Sequence, residues 1–367
     1  MHILFAGGGT AGHINPALAV ADYIKEKHPD AKISYIGTAK KLEAKLVPLK
    51  GYDFYTIDVA GFQRKITPKN IIRNISAAKK AVTSSVCSRK LLKELKPDLV
   101  VGTGGYVSGP VLKQAQKLGI KTAIHEQNAF PGITTKMLAS NADAVMLAMP
   151  EAKKHLKLNK EPIITGNPIR GELLKSDRDV ARQKLQIGDK PLILSFGGSL
   201  GARRINETVT ELIKWHNGTD KYYHIHASGS LGFSAMNKEL ENISLSDMIT
   251  VREYIDNMDV CMAAADLVIC RAGAITLGEI AALGKPSILI PSPYVAENHQ
   301  FHNALTLKSA GAAEIIEEKD LTGEKLIEAV NRLIDNKALL QEMSIAAKKA
   351  SITDATKRIY DTLMKLL

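Results

Sequence analysis

Short apolar runs alternate along most of the chain with longer stretches in which apolar positions recur every three or four residues. The short runs predict buried strands and the longer stretches predict amphipathic helices. In the first half, strands are expected at 2–6, 32–36, 53–58, 98–102, 121–125 and 143–147, and helices at 14–28, 40–49, 68–95, 108–118 and 132–140. In the second half, strands are expected at 191–196, 222–227, 249–251, 266–270, 286–290 and 313–316, and helices at 203–216, 256–264, 275–283, 298–310, 323–335 and 337–349. This alternation is typical of parallel sheets covered by helices.

The alternation breaks once, near residues 160–190, where Gly166-Asn167-Pro168 and the polar run 175–179 occur. A length of 367 residues also suits two domains better than a single core. We therefore expect an α/β protein with two doubly wound, Rossmann-like domains that face each other across a cleft. The expected domains are 1–163 and 164–350, and the last segment, 351–367, is expected to form a helix that packs back on the first domain.

Three glycine-rich loops, at residues 7–12, 102–109 and 197–202, each follow a predicted strand and open a helix. Glycines let the backbone approach a ligand closely, and the free amides of a helix N-terminus attract anions. Any one of these loops also fits a plain strand-to-helix turn. Because ligands of doubly wound sheets bind at the carboxyl ends of the strands, three such loops together predict more than one phosphate-bearing ligand.

Three common phosphate sites do not fit these loops. The first loop has the G-x-G-x-x-G spacing, but the second strand ends in Tyr35-Ile36-Gly37-Thr38, without the acid that holds the ribose of NAD. A Walker A motif is missing, since Pro286 follows Gly284-Lys285. The D-x-D at 177–179 has no strand before it and is interpreted as a solvated helix start, so we expect neither a metal nor another cofactor. A nucleotide-sugar donor fits better, with its diphosphate stabilised by amides, a helix dipole and basic side chains.

Positive charge is concentrated in the first half of the chain. Residues 1–165 contain 25 Lys and Arg against 12 Asp and Glu, whereas the remainder contains 24 against 26. Ten basic residues lie within 61–96, among apolar ones: Arg64, Lys65, Lys69, Arg73, Lys79, Lys80, Arg89, Lys90, Lys93 and Lys96. Such a segment predicts contact with an anionic membrane surface, and a solvated helix packed on its own sheet is the alternative. Nucleic acid is not an expected partner, because aromatic interleaving and nucleic-acid motifs are missing.

The remaining composition favours an intracellular protein. Cys87, Cys261 and Cys270 are an odd number without C-x-x-C spacing, which fits a reducing cytoplasm. The first residues lack the basic start and apolar stretch of a signal peptide. No apolar run reaches the roughly 18 to 20 residues that span a bilayer, so we expect the protein at the cytoplasmic face of the cell membrane, as a peripheral protein.

Several phrases together resemble one family over nearly the whole chain. They are GGGTAGHINPALAVA (7–21), GTGGYVSGP (102–110), HEQNAFPG (125–132), GNPIR (166–170), FGGSLGARRIN (196–206), RAGAITLGEIAALGKPSILIP (271–291) and ENHQFHNA (297–304). The sequence resembles the MurG family, the undecaprenyldiphospho-muramoylpentapeptide N-acetylglucosaminyltransferases. The resemblance implies an inverting, metal-independent transferase of the GT-B type that moves N-acetylglucosamine from UDP to the lipid-linked muramyl pentapeptide of peptidoglycan synthesis.

The resemblance also implies a donor site, mostly in the second half. Arg170 and Ser199 are expected at the diphosphate, Ser199 at a helix start, and Ile255 at the uracil through its backbone. The expected nucleotide-wrapping residues are Ala274, Ile275, Thr276, Leu277, Gly278 and Glu279, with Glu279 on the ribose hydroxyls. Gln300 and Asn303 are assigned to the sugar. From the first half, Thr10, Ala11, Gly12 and Asn128 correspond to residues near the transferred sugar and the acceptor, and are counted with the donor site.

On the acceptor side, Gly104, Gly105, Tyr106, Ser108 and His125 are expected to contact the lipid-linked diphosphate substrate. His13, at the start of a helix, is the candidate general base, and Glu126 is the rival base. A helix N-terminus disfavours the imidazolium and keeps the ring neutral. The alternative is that His13 only hydrogen-bonds a substrate phosphate or caps the loop.

One residue departs from the family pattern. The first loop of the family reads T-G-G-H, whereas this chain has Ala11 at the second place. The added methyl is tolerable only where φ is negative.

Three other functions share parts of this pattern. A diacylglycerol glycosyltransferase would share the donor loops but is expected to lack GYVSGP and HEQNAFPG as a pair. A UDP-N-acetylglucosamine 2-epimerase would share the architecture but would need no acceptor. A non-catalytic subunit that recruits partners to the membrane or senses sugar nucleotides is disfavoured because donor and acceptor loops occur on one chain.

Overall fold

Parallel strands and covering helices form two units in the computed structural model, which describes residues 1–61 and 67–367, without the side chains of residues 68–76 and 78. One unit comprises residues 1–168 and 354–367, and the other residues 169–353. The interruption at Gly166-Asn167-Pro168 thus coincides with the first crossing between the units. Arg64, Lys65 and the side chains of Lys69 and Arg73, which belong to the expected membrane segment, lie outside the described residues.

The first unit is a seven-stranded parallel sheet in the order β3-β2-β1-β4-β5-β6-β7. Its strands are β1 (His2–Gly7), β2 (Lys32–Gly37), β3 (Asp53–Thr56), β4 (Leu99–Gly104), β5 (Lys121–Glu126), β6 (Ala144–Leu147) and β7 (Ile163–Ile164). Its helices before the crossing are α1 (Ala11–Lys27), α2 (Glu43–Leu49), α3 (Pro68–Leu95), α4 (Gly105–Lys117) and α5 (Ile133–Leu138), with 3-10 turns at Ala139–Asn141 and Pro150–His155.

Alternating side chains of β1 divide the first unit's core into two layers. Ile3 and Phe5 pack with Ile14 and Ile24 of α1 on one face of the sheet. Leu4 and its neighbours pack on the other face, against the apolar side of α4. Because strand side chains point to opposite faces in turn, one short apolar strand supports helices on both sides.

The second unit is a six-stranded parallel sheet in the order β10-β9-β8-β11-β12-β13. Its strands are β8 (Leu192–Phe196), β9 (Tyr223–Ala227), β10 (Ile249–Arg252), β11 (Leu267–Cys270), β12 (Ser287–Leu289) and β13 (Ala313–Ile315). Its helices are α6 (Gly171–Leu174), α7 (Arg178–Lys184), α8 (Arg203–His216), α9 (Phe233–Leu240), α10 (Met258–Ala264), α11 (Ala274–Ala282), α12 (His299–Ser309), α13 (Gly323–Ile334) and α14 (Lys337–Ala350), with 3-10 turns at Ala296–Asn298 and Glu318–Asp320. The prediction of two Rossmann-like domains is confirmed.

The D-x-D sequence is the start of a helix, as interpreted from the sequence. The Asp177 carboxylate caps α7 by accepting from the amides of Asp179 (2.9 Å) and Val180 (3.0 Å). Such a cap satisfies backbone donors that a helix N-terminus leaves without partners.

The last helix, α15 (Ala355–Met364), returns to the first unit. Ile359 and Leu363 join the core layer of α1, and the Tyr360 hydroxyl lies 2.8 Å from His28 Nε2. In the described part of the chain, no helix combines the length and apolar composition needed to cross a membrane.

Candidate functional site

The glycine loops of the first unit meet where the strand order reverses. The first loop follows β1 and the second follows β4, and these two strands are neighbours. Gly9, Gly104 and Gly105 have φ values of +92°, +105° and +78°, in a region that residues other than glycine rarely adopt. A Cβ on Gly105 would overlap the carbonyl of Gly8. The two loops therefore approach backbone to backbone at the switch point, where doubly wound sheets bind ligands.

Glu43 supports the first loop from behind and was not predicted. Its side chain is fully buried, and one oxygen accepts from the Gly9 amide at 3.1 Å. The other accepts from the Thr38 amide (3.1 Å) and hydroxyl (2.7 Å). Since one loop amide already binds a carboxylate of the protein, this loop is not a simple phosphate cradle. The only sequence signal was an acid in the first turn of α2, 34 residues from Gly9.

His13 lies in the first turn of α1, because the helix begins at Ala11, three residues before the expected start. Its ring is half-buried, and Nδ1 lies 3.1 Å from the Gln127 side-chain oxygen. A Cβ on Gly104 would lie 2.6 Å from the same nitrogen, so the ring packs directly against that glycine. Ala11 is exposed and is the first helical residue, where φ is negative, so its methyl fits.

Glu126, the rival base, is buried and accepts four hydrogen bonds. One oxygen takes the Asn128 amide and side chain, both at 3.1 Å. The other takes the Gly132 amide (3.1 Å) and the Thr135 hydroxyl (2.6 Å). These contacts tie the segment after β5 to the start of α5, which is a structural use of the carboxylate.

The expected acceptor residues divide into exposed and buried ones. Tyr106, within the second loop, is 63% exposed, and its ring packs against Gly61. Ser108 is buried, and its hydroxyl contacts the Ala6 carbonyl (2.7 Å) and the Gly104 carbonyl (2.8 Å) and amide (3.1 Å). His125 is also buried. Ser108 and His125 thus hold the loops from inside, whereas Thr10 and Tyr106 face solvent.

In the second unit, the third glycine loop also lies at a switch point, since β8 and β11 are neighbours where the order reverses. Gly198 and Gly201 have φ values of +95° and +84°. Ser199 is exposed in this loop, and α8 begins only at Arg203, so the expectation that Ser199 opens the helix is wrong. The loop rests on the β9–α9 turn, where the Ser230 amide donates to the Ser199 carbonyl at 3.4 Å.

Arg170 and Glu279, expected at the diphosphate and the ribose, form an ion pair with each other. Arg170 Nε lies 2.8 Å from Glu279 Oε1, and the arginine side chain is 48% exposed against 10% for the glutamate. Glu279 lies on α11, whose first turn at Ala274 follows β11 at the switch point. Ile255 has a buried side chain in the segment after β10.

A cavity of about 550 Å³ opens beside the third loop. Residues of the loop, of α8 and of the segment after β12 line it: Gly197, Gly201, Ala202, Arg203, Arg204, Glu207, Arg271, Ser292, Tyr294, Gln300 and Glu318. Gln300, expected at the sugar, is part of this lining, and its side-chain oxygen accepts from the Ser292 amide at 2.9 Å. Arg271, which pairs with Glu318, was not predicted. Asn303 is fully buried and donates to the Ala272 carbonyl at 3.2 Å.

A chain of buried histidines lies beneath the third loop. The Ser195 hydroxyl lies 2.8 Å from both His224 Nε2 and His226 Nδ1. The chain continues from His224 to His216 at 3.2 Å and from His226 to Asn206 at 3.3 Å. Burial lowers the pKa of His216 to about 4 and that of His226 to about 3, and it also lowers the pKa of His224. All three rings are therefore neutral at pH 7.

Comparisons with known proteins agree with this geometry. The model of the glycosyltransferase family 28 N-terminal domain matches residues 3–147, and that of the C-terminal domain matches residues 192–359. Relatives named UDP-N-acetylglucosamine--N-acetylmuramyl-(pentapeptide) pyrophosphoryl-undecaprenol N-acetylglucosamine transferase include that of Acetivibrio thermocellus, 47% identical over 100% of this chain and 98% of its own. That of Clostridioides difficile is 42% identical over 100% of this chain and 89% of its own.

Among solved structures, MurG of Acinetobacter baumannii is 30% identical with a TM-score of 0.79, over 99% of both chains. The UDP-GlcNAc 2-epimerase of Neisseria meningitidis, at 14% identity and a TM-score of 0.66 over 100% of both chains, shares the fold alone. The two family models and the MurG structure thus define a glycosyltransferase of the GT-B type, with two Rossmann-like domains that carry glycine loops at their switch points. The chain belongs to glycosyltransferase family 28.

Proposed function

We propose that the protein transfers N-acetylglucosamine from UDP-N-acetylglucosamine to the undecaprenyl-diphospho-muramoyl pentapeptide, with inversion at the sugar. Relatives at 42–47% identity over the whole chain bear the name of this transferase. The observation that carries transfer to an acceptor is His13, a half-buried imidazole beside the loops assigned to the acceptor.

In the proposed reaction, the acceptor hydroxyl attacks the anomeric carbon on the face opposite UDP. The new C–O bond forms as the bond to the UDP oxygen breaks, and the hydroxyl proton passes to the His13 imidazole. A positioned base of this kind contributes about 10²–10⁴-fold to the rate. Glu126 is the poorer candidate, because four donors already occupy its two oxygens.

The donor is assigned to the second unit. Arg170 and the amides near Ser199 would stabilise the departing diphosphate, and the second carboxylate oxygen of Glu279 would accept the ribose hydroxyls. Gln300 in the cavity beside the third loop is assigned to the sugar. Arg170 is about half exposed whereas Glu279 is mostly buried, so a diphosphate can reach the guanidinium from solvent while Glu279 keeps its place.

The test is UDP release from UDP-N-acetylglucosamine with and without a short-chain, lipid-linked muramyl pentapeptide. We expect release only with the acceptor, together with an acceptor product heavier by one N-acetylhexosamine. Epimerised sugar without acceptor would identify an epimerase instead. Transfer to diacylglycerol but not to the muramyl lipid would identify the related lipid glycosyltransferase.

We also propose that α3 binds the anionic membrane surface that carries the acceptor, at the cytoplasmic face. Val82 and Val86 are each 66% exposed, one helical turn apart. Lys79, Lys90 and Lys93 are exposed and follow the same face at helical spacing. Ser84, Ser88 and Leu92, on the opposite face, are buried. Apolar residues flanked by lysines suit a surface of anionic headgroups, where each cation contributes about 1 kcal/mol.

Vesicle flotation tests the membrane proposal. The triple variant Lys79→Glu, Lys90→Glu, Lys93→Glu should lose binding to phosphatidylglycerol vesicles. A matched control reverses three exposed lysines of the second unit, Lys184, Lys325 and Lys337, with the same change in net charge. Equal binding of both variants would refute the role of α3, and equal loss would indicate an effect of net charge alone.

A further inference from the structure

A continuous chain of hydrogen bonds runs from a backbone carbonyl in the first unit to His13. His125 Nε2 lies 3.0 Å from the Gly166 carbonyl oxygen, and His125 Nδ1 lies 3.0 Å from Gln127 Nε2. The other end of the same amide, Gln127 Oε1, lies 3.1 Å from His13 Nδ1. His125 and Gln127 are both 2% exposed, so the chain is closed to solvent except at His13.

The carbonyl end of this chain determines which atoms carry protons. A carbonyl oxygen only accepts, so His125 Nε2 must donate to Gly166. Burial lowers the pKa of His125, which keeps the ring neutral with a single ring proton. His125 Nδ1 therefore has a lone pair and accepts from the Gln127 NH₂ group.

The same logic continues through the amide. The NH₂ group of Gln127 also donates to the His125 carbonyl oxygen at 3.0 Å, so both of its protons are directed to His125. The amide oxygen is left facing His13, and it can only accept. When the His13 ring carries a single proton, that proton must then be on Nδ1, and the lone pair is on Nε2.

We propose that His125 and Gln127 are positioning residues that hold His13 as the Nδ1–H tautomer, with Nε2 presented to the acceptor hydroxyl. The proposal rests on the proposed function, in which His13 is the base. Two further contacts support the geometry. Asn167 donates to the Gln127 backbone carbonyl at 3.1 Å, and the missing Cβ of Gly104 leaves room for the ring.

This arrangement transfers no proton along the chain. When Nε2 takes the hydroxyl proton, His13 becomes an imidazolium whose Nδ1–H still donates to Gln127. A neutral amide orients the ring without the electrostatic stabilisation of the imidazolium that a carboxylate partner gives. The new proton must therefore leave from Nε2 itself, to solvent or to the departing products.

Nitrogen NMR of the whole protein labelled with ¹⁵N-histidine tests the tautomer without reference to activity. The His13 signals are assigned by their loss in His13→Gln. We expect Nδ1 to show the protonated type of shift and Nε2 the unprotonated type at pH 8. Protonation at Nε2, or an even mixture of the two tautomers, would overturn the proposal.

Substitution of the amide tests the consequence for catalysis. Gln127→Met keeps the volume but removes both polar atoms, and we expect kcat to fall about 10- to 100-fold, within the range a base contributes, with both KM values unchanged. Gln127→Glu restores an acceptor for Nδ1 and should recover part of kcat. Gln114→Met is the matched control, since Gln114 is a buried glutamine of the same unit that donates to Ser85 at 2.6 Å.

The outcomes separate the two proposals. Wild-type kcat in folded Gln127→Met, or a loss no larger than that of Gln114→Met, would overturn the positioning role. Full kcat in His13→Ala would instead remove the base assignment, while the NMR result on the tautomer would stand by itself.

Discussion

The two switch points use polar groups in opposite ways. In the first unit, Glu43, Ser108, Glu126 and Gln127 are buried and hydrogen-bonded within the protein, and Gln127 contacts the half-buried His13. In the second unit, charged groups pair with each other: Arg271 and Glu318 do so in the lining of an open cavity, and Arg170 before α6 pairs with Glu279 of α11.

This difference separates a fixed site from an exchangeable one. A buried polar group that loses its partner costs about 1–3 kcal/mol, so the first network keeps one arrangement. The Arg170 side chain, by contrast, is about half exposed, so a phosphate can reach it from solvent and share it with Glu279. The first site is suited to orienting a proton acceptor, and the second to binding and releasing a charged nucleotide.

The largest expected effect is on the group that the fixed network orients. His13→Ala should lower kcat by about 10²–10⁴-fold while the donor still binds, because the proton acceptor is lost. Steady-state kinetics with isothermal titration of UDP measure the two effects separately. His28→Ala, at the other end of α1, is the control and should keep full kcat.

Acidification should destabilise the second unit through its buried histidines. In the unfolded chain, His216 and His226 bind protons with the ordinary histidine pKa of 6.5. In the folded protein, their pKa values are lowered to about 4 and about 3. The contribution of these rings to the free energy of unfolding is therefore complete above pH 6.5. It falls as the pH is lowered, by about 1.4 kcal/mol per pH unit for each ring. Thermal unfolding followed by Trp215, the only tryptophan, reports on this unit.

A variant shows whether the histidines cause this acid sensitivity. His216→Phe should unfold with a weaker dependence on pH between 6 and 4.5 than the wild type. Identical slopes would show that the loss arises from groups outside the histidine chain.

The exchangeable site predicts a change in binding rather than in turnover. Glu279→Gln removes the carboxylate that pairs with Arg170 and that is assigned to the ribose. The donor KM should therefore rise about 10- to 100-fold, which corresponds roughly to one charge-assisted hydrogen bond. We expect kcat to stay similar. Glu314→Gln is the matched control. Glu314 forms an ion pair with Arg332, with an N–O distance of 2.6 Å, and neither residue lines the cavity. An unchanged KM in Glu279→Gln would remove this residue from the donor site.

The smallest expected effect is on turnover when the His13 ring is displaced, and a control separates this effect from strain in a glycine backbone. Gly104→Ala adds a Cβ 2.6 Å from His13 Nδ1 and should lower kcat about 10-fold, less than the roughly 10²–10⁴-fold that a positioned base contributes. Gly119→Ala is the control, because φ is +72° there and nothing lies within 4 Å of the new Cβ. Both variants should lose about 1 kcal/mol of stability, but only Gly104→Ala should lose turnover.

Periodicity was sufficient for most of the fold. The predicted helix at 203–216 has the bounds of α8, and each predicted strand overlaps an observed one. The pattern missed α9 and the short α6 and β7, since two to eight residues give too few turns or alternations to stand out. It also placed the start of α1 three residues too late, at residue 14 instead of Ala11, because Gly12 and His13 do not extend the apolar pattern.

Site residues were predictable only where a motif names them. The family and its motifs lead to His13, Arg170 and Glu279. The supporting groups depend on pairings far apart in sequence, such as Gln127 with His13, 114 residues away. A buried glutamate such as Glu43 has the same local appearance as a solvated acid in a helix's first turn, so only the folded chain reveals its use.

The return of α15 to the first unit has a consequence for biosynthesis. Residues 169–353 emerge from the ribosome between the body of that unit and the helix that covers α1. At ~5–20 residues per second, this interval is on the order of ten seconds to half a minute. During that time the apolar residues of α1 that later pack with Ile359 and Leu363 remain uncovered by α15.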